Sequence, residues 1–156
     1  MKILVLDLDG TIANCDHRLH YIKPPKGEKK NWKKFFDEIP GDSCYLEVKN
    51  TVRTLQEKGV EVYVVTGRPE RTRADTQAWL GREGIVICGL FMRSNTDNRQ
   101  DYITKPELVK KNVLDALQKE DVVWAFEDRE QVAENYEKLG IRTYIAKNDV
   151  LTLGSL

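Results

Sequence analysis

Short aliphatic runs recur along the chain, and each is cut off by acidic, hydroxyl-bearing or basic residues before a segment with helical spacing begins. Residues 3–6, 60–65, 122–126 and 141–145 are such runs. They are continuous rather than alternating, as expected of strands buried on both faces. A further strand falls at residues 85–87 or 90–92, and the local pattern supports either. Between the runs, Tyr45, Val48, Val52 and Leu55 share a helical face ahead of Gly59, and Ala74, Ala78, Trp79 and Leu80 share another ahead of Gly81 and Gly84. Thr104-Lys105-Pro106-Glu107 has the form of a capping box opening a helix that extends to about residue 118. Residues 131–139 make the last helix, closed by Gly140. Strands alternating with helices predict an α/β fold: a parallel sheet with helices on both faces.

A chain of 156 residues holds one such core, so the expectation is a single domain over residues 1–156. Residues 12–45 break the alternation and read as an insertion. Turn signals at Pro24-Pro25-Lys26-Gly27 and Pro40-Gly41 flank a short helix over 32–38. Residues 147–156 carry no clear signal. Lys+Arg 25 balances Asp+Glu 25, so no net field draws the protein to nucleic acid or membrane, and polyanion binding has to rest on a local patch. Cys15, Cys44 and Cys88 are far apart and odd in number, which argues against a zinc site or a disulfide scaffold and for free thiols in a reducing compartment. No segment approaches the ~20 apolar residues that span a bilayer. The apolar start stops at Asp7, too early for a signal peptide. These features predict a cytoplasmic protein with no membrane partner.

In parallel sheets, ligands bind beyond the carboxyl ends of the strands. Asp7 and Asp9, then Thr66, then Glu127 and Asp128 each follow a strand, and all should converge on one rim. Carboxylates gathered there repel one another unless a cation sits among them. An all-oxygen set without His or Cys favours a hard ion, magnesium above all. Such a site suits phosphate monoesters, whose hydrolysis needs acceleration of up to ~10²¹ and therefore a nucleophile, an acid, a metal and a phosphate clamp together. Lys105 in a first helical turn opposes the helix dipole by roughly 0.3–1 kcal/mol, and an anion nearby would account for it.

Asp7-Leu8-Asp9-Gly10-Thr11 resembles the DxDGT signature of haloacid dehalogenase-superfamily phosphatases, which share a Rossmann-like sheet. Thr66-Gly67-Arg68, Lys105 and Glu127-Asp128 resemble that family's later motifs, in the right order. The resemblance implies Asp7 as the nucleophile that takes the phosphoryl group and Asp9 as general acid and base. It implies Thr66, Gly67 and Lys105 as phosphate holders, with Arg68 on the substrate side. Magnesium would be held by Asp7, Asp9 through its carbonyl, and Asp128, with Glu127 as helper. Asp at position 9 favours hydrolysis over the ATPase branch, which usually carries Thr. Phe91-Met92-Arg93, Arg99-Gln100-Asp101 and Phe126-Glu127-Asp128-Arg129-Glu130-Gln131-Val132 are also similar to the 3′-phosphatase domain of bacteriophage polynucleotide kinases. That likeness implies that Arg93 and Arg99 grip substrate phosphate. Glu127 departs from it, since that group typically has two Asp.

Residues 12–45 are too few for a full cap domain, and an open site would admit nucleic-acid ends. Lys23, Lys26, Lys29, Lys30, Lys33 and Lys34 crowd around Tyr21, Trp32, Phe35 and Phe36, a composition suited to stacking a base while its phosphates are neutralised. The competing reading is a solvated lysine face with aromatics that pin the insertion. His17 and His20 could share a helical face there. The expected substrate is the 3′-phosphate of a nucleic-acid or nucleotide end. The alternatives are a 5′-nucleotidase or metabolite phosphatase and, in another class, a non-catalytic receiver-like phosphoacceptor. No GxxxxGK[ST] loop is present, so any kinase activity would come from a separate partner.

Overall fold

The computed structural model describes residues 1–153. Its main element is a six-stranded sheet in the order β5-β4-β1-β6-β7-β8. In chain order these strands are β1 (Lys2–Leu6), β4 (Glu61–Pro69), β5 (Gly89–Arg93), β6 (Val122–Glu127), β7 (Arg142–Lys147) and β8 (Val150–Leu153), while β2 (Ala13–Asn14) and β3 (Ser43–Cys44) pair separately. All pairings in the main sheet are parallel except β7 with β8. The helices are α1 (Trp32–Asp37), α2 (Leu46–Glu57), α3 (Arg73–Arg82), α4 (Asp101–Asn112) and α5 (Glu130–Lys138).

Period-two alternation in the central strand explains the two cores. Leu4 and Leu6 pack with Val48 and Val52 of α2 and Trp79 and Leu80 of α3. Ile3 and Val5 pack on the opposite face with Val109 of α4 and Val132 and Tyr136 of α5. With both faces covered, residues 3–6 of β1 are apolar, and the acidic residue that follows them, Asp7, marks the point where the chain leaves the sheet.

One open choice is settled, and two local expectations need correction. The strand between α3 and α4 is Gly89–Arg93, so residues 85–87 are not in it. α4 begins at Asp101, after Gln100, and ends at Asn112; Thr104 caps nothing, and Lys105 lies in the second turn. Pro106 is therefore inside the helix, where it leaves the Tyr102 carbonyl without its usual partner. Asn135 Nδ2 of α5 donates to that carbonyl at 2.8 Å, which compensates for the lost bond. Beyond residue 147 the chain makes the β7–β8 hairpin through Asn148 and Asp149, both at positive φ (48° and 67°). That is the backbone a two-residue turn requires. Asp149 also accepts the Glu47 and Val48 amides at 3.0 and 2.9 Å and so caps α2 from afar. Residues 154–156 lie outside the described part.

Residues 12–45 fold back on the rim. The β2–β3 ribbon closes their base, and α3 anchors them: Trp79 Nε1 and Arg82 Nη2 donate to the Asp42 carbonyl at 2.9 and 2.7 Å.

Candidate active site

Asp7 stands one residue beyond β1, buried, its amide donating to the Phe126 carbonyl at 3.1 Å. Its carboxylate is held from both sides. Thr11 Oγ1 donates to Oδ2 at 2.6 Å, and Lys105 Nζ donates to Oδ1 at 2.8 Å. The tight turn that brings Thr11 back depends on Gly10, at φ +82°, where any Cβ would run into the Asp128 carboxylate. Lys105 also binds Glu127 at the end of β6. Its charge is therefore balanced locally. Burial works against the ammonium, yet Asp7 and Glu127 hold its pKa well above the ordinary lysine value.

The carboxylates of Asp7, Glu127 and Asp128 can bring one oxygen each within 4.8 Å of one another. Burial and the charge of Asp7 push Glu127 up to about 7, and the same two causes, with Glu127 added, push Asp128 up to about 10. Three acids against one lysine form a site short of positive charge, with oxygen donors alone. That fits a hard divalent cation. Glu127 is the most committed of the three: its Oε1 accepts the Asp128 and Arg129 amides at 3.2 and 3.3 Å, and Lys105 holds its other oxygen.

Asp9 lies on the other side of the cleft, and two buried arginines grip one of its oxygens. Arg18 Nη2 at 2.7 Å, Arg68 Nη2 at 2.6 Å and Arg68 Nε at 3.2 Å all donate to Oδ1. Oδ2 accepts no hydrogen bond among the described residues. Burial would raise the Asp9 pKa, but Arg68 and then Arg18 outweigh it and hold the carboxyl below its ordinary value. Both arginines are themselves neutralised by buried Asp42, which accepts from Arg18 Nε and Nη2 at 2.8 Å each and from Arg68 Nη2 at 3.3 Å. His17 Nε2 lies 2.7 Å from Asp42 Oδ1.

A cleft of about 890 Å³ joins these groups, lined also by Thr66, Gly67 and Trp32. A Cβ at Gly67 would come 2.5 Å from Asp101 Oδ1, so a side chain there would have to displace that carboxylate. The arginines are used differently from expectation. Arg68 is buried against Asp9 and Asp42 and does not face outward. Arg93 donates to the carbonyls of Gly67 at 3.0 Å, Asp97 at 3.1 Å and Arg99 at 2.6 Å, and to Asp101, so it braces the Gly67 turn. Arg99 is paired with Asp97 and Glu107. Neither Arg93 nor Arg99 is a free phosphate grip in this arrangement.

The sequence model described as the polynucleotide kinase PNKP phosphatase domain matches residues 1–149. The chain belongs to the PNKP phosphatase-domain family. This is a haloacid dehalogenase-type phosphatase domain, which sets aside the receiver-like alternative. A curated relative, "Putative nucleotidase OB0422" of Oceanobacillus iheyensis, is 30% identical over 125 residues, covering 72% of this chain and 64% of its own. The chain thus spans under two thirds of that relative's length. In solved structures, a chain of the Pnkp1/Rnl/Hen1 complex superposes with a TM-score of 0.72 at 23% identity, covering 99% of this chain and 47% of that one. The D,D-heptose 1,7-bisphosphate phosphatase of B. bronchiseptica, solved with magnesium and phosphate, gives 0.60 at 15% identity, covering 96% and 83%. Both share the fold.

For a PNKP-type phosphatase domain, Arg18 and Asp42 are the residues that sequence reasoning missed. Both lie in the irregular 12–45 segment, where charged residues read as solvated surface. Nothing in the spacing tells that Asp42 meets Arg18 and Arg68 in the interior. The histidines do not act together: His17 faces Asp42, while His20 packs on Tyr21 with ring centroids 4.0 Å apart. No helix among the described residues is long and apolar enough to cross a membrane.

Proposed function

We propose that the protein is a magnesium-dependent phosphomonoesterase that forms a phosphoryl-Asp7 intermediate and removes the 3′-phosphate from nucleic-acid ends. The observation that carries this reading is the held carboxylate of Asp7, fixed by Thr11 and Lys105 at a buried strand end with Asp128 beside it. A nucleophile so oriented needs little further ordering when a phosphoryl group arrives. In the first step an Asp7 oxygen bonds to phosphorus while the bond to the leaving alcohol breaks, and Asp9 Oδ2 gives that oxygen its proton. In the second, Asp9 takes a proton from water as the water oxygen bonds to phosphorus, and Asp7 departs as a carboxylate. Lys105, Thr66 and the Gly67 amide hold phosphoryl oxygens.

Asp7, Asp128 and the Asp9 carbonyl would hold magnesium, with Glu127 acting through Lys105 and the turn amides it binds. Bound there, the ion would neutralise charge on the acids and the phosphoryl group. The same reading treats the chain as one phosphatase domain with residues 12–45 as a minimal cap, working in a reducing compartment where its three cysteines stay free. Kinase activity, where needed, comes from a partner.

The relative named as a nucleotidase favours a second reading, a phosphatase of free nucleotides. Phosphate release with and without magnesium separates the two on a panel of aryl phosphate, 5′- and 3′-mononucleotides, and oligonucleotides phosphorylated at either end. The proposal expects magnesium-dependent release that favours 3′-phosphorylated oligonucleotides. A preference for 5′-mononucleotides would replace it with the nucleotidase reading.

A further inference from the structure

The cations around the cleft fall into two groups. Arg18, Arg68, Arg93, Arg99, Lys105 and Arg129 are committed to carboxylates or backbone carbonyls. Lys23, Lys30 and Arg71 line the same cleft, are exposed, and make no ion pair among the described residues. Two of these three stand over aromatic rings. Lys30 Nζ is 5.6 Å from the Trp32 ring centroid, and Arg71 Cζ is 5.3 Å from that of Phe36. The two rings lie 5.9 Å apart and within 23° of parallel, so they form a shelf along the cleft wall. Trp32 is 45% exposed although Phe35 beside it is buried, which leaves a large flat apolar face open to the cleft.

The shelf is held relative to the chemistry. Phe35 lies under Arg18, with Cζ 4.3 Å from its ring centroid, and its carbonyl accepts from Arg18 Nη1 at 3.3 Å. Arg18 is one of the two arginines that grip Asp9. α1 is pinned at its start as well, where Asn31 donates its amide to the Tyr21 carbonyl at 2.7 Å and accepts the Lys34 amide at 3.1 Å.

The geometry points to a subsite for the nucleotide adjoining the phosphorylated end of a single strand: Trp32 and Phe36 stack its base, and Lys30, Arg71 and Lys23 neutralise the backbone phosphates that follow. The inference rests on the 3′-phosphatase reading and assigns its polymer specificity to these five residues. Stacked rings with cations at their edges hold any base, because every base has a flat π-face, and they need that base unpaired. The remaining lysines of the segment play no part. Lys26, Lys29, Lys33 and Lys34 lie outside the cleft lining, and Lys33 pairs with Asp37 at 2.7 Å. Substrate grip thus moves from Arg93 and Arg99 to Lys30 and Arg71.

The test is kcat/KM for 3′-phosphorylated mono-, di- and hexadeoxynucleotides and for an aryl phosphate, in the wild type and four variants. The wild type should prefer the hexanucleotide over the mononucleotide by at least about tenfold, mainly through KM, with most of the gain already present in the dinucleotide. Trp32→Ala should reduce that preference by about fivefold or more, and Trp32→Phe should restore most of it. Arg71→Ala should reduce the steepness of the salt dependence on the hexanucleotide by about 0.7 in the log–log slope. Lys26→Ala should keep the wild-type preference. Equal kcat/KM for mono- and hexanucleotide in the wild type would overturn the subsite while leaving the 3′-phosphatase reading intact. So would an unchanged preference in Trp32→Ala, or a loss in Lys26→Ala as large as in Arg71→Ala. Aryl phosphate hydrolysis with none on any 3′-phosphorylated nucleotide would instead remove the 3′-phosphatase reading itself.

Discussion

In the proposed mechanism Asp9 has two duties that make opposite demands on its pKa, and its surroundings favour one of them. Burial alone would raise its pKa, but Arg68 and Arg18 hold it below the ordinary carboxyl value, which suits the base that activates water better than the acid that protonates a leaving group. Because both arginines bind Oδ1, Oδ2 is left for the proposed proton exchange. Asp9→Asn should therefore lower kcat on a nucleotide 3′-phosphate by about 10² or more. The first chemical step should slow far less on an aryl phosphate, whose phenolate leaves without a proton, and single-turnover kinetics on both substrates check this. Asp7→Asn should abolish phosphate release from either. Legibility at this scale followed chain position. Asp7, Asp9, Thr66, Lys105 and Asp128 each follow a recognisable run or sit in a recognisable helix, so their convergence could be read beforehand. Arg18 and Asp42 occupy irregular backbone, and their pairing is made only by the way residues 12–45 fold back against α3.

Among elements, the rim between β1 and β6 concentrates like charge, with a clear consequence for pH. Glu127 at about 7 and Asp128 at about 10 stand above their ordinary values of 4.5 and 3.8. Between those limits the folded protein binds more protons than the unfolded chain, so the metal-free protein should lose stability as pH rises from about 5 toward 10. Magnesium held by these acids, as proposed, would compete with those protons. The rise in Tm on adding it should therefore be larger at pH 8 than at pH 6; an equal rise at both would place the ion elsewhere. Helix α4 offers a second test. Its internal Pro106 is tolerated because Asn135 supplies the missing donor to Tyr102. Asn135→Leu leaves that carbonyl unpaired and should cost about 1–3 kcal/mol in denaturant unfolding. The expected capping box at Thr104 failed here because the Thr-x-x-Glu pattern lies inside a helix that begins one turn earlier, at Asp101. The β7–β8 hairpin went unseen because Asn148-Asp149 is a weaker turn signal than a pair containing Gly, though both residues tolerate the positive φ it needs.

At the scale of the whole molecule, a sheet with one acidic rim and a short folded-back segment produces an open cleft among the described residues. The balance of 25 basic and 25 acidic residues hides a local separation, with acids at the strand ends and uncommitted cations along the facing wall. On the proposed reading, that separation would let a neutral protein receive a polyanion at this cleft, a preference that overall charge does not reveal. The strand–helix alternation made the architecture legible early, since a buried parallel sheet leaves few other ways to arrange such runs.

The central claim is that Asp7 carries the phosphoryl group during turnover. The most direct measurement is an acid quench during the first turnover of an oligonucleotide bearing a radiolabelled 3′-phosphate, followed by peptide mapping. The account predicts label on the peptide containing Asp7, released by hydroxylamine as an acyl phosphate is, and none with Asp7→Asn. Label on another residue, or full-rate phosphate release by Asp7→Asn, would contradict it.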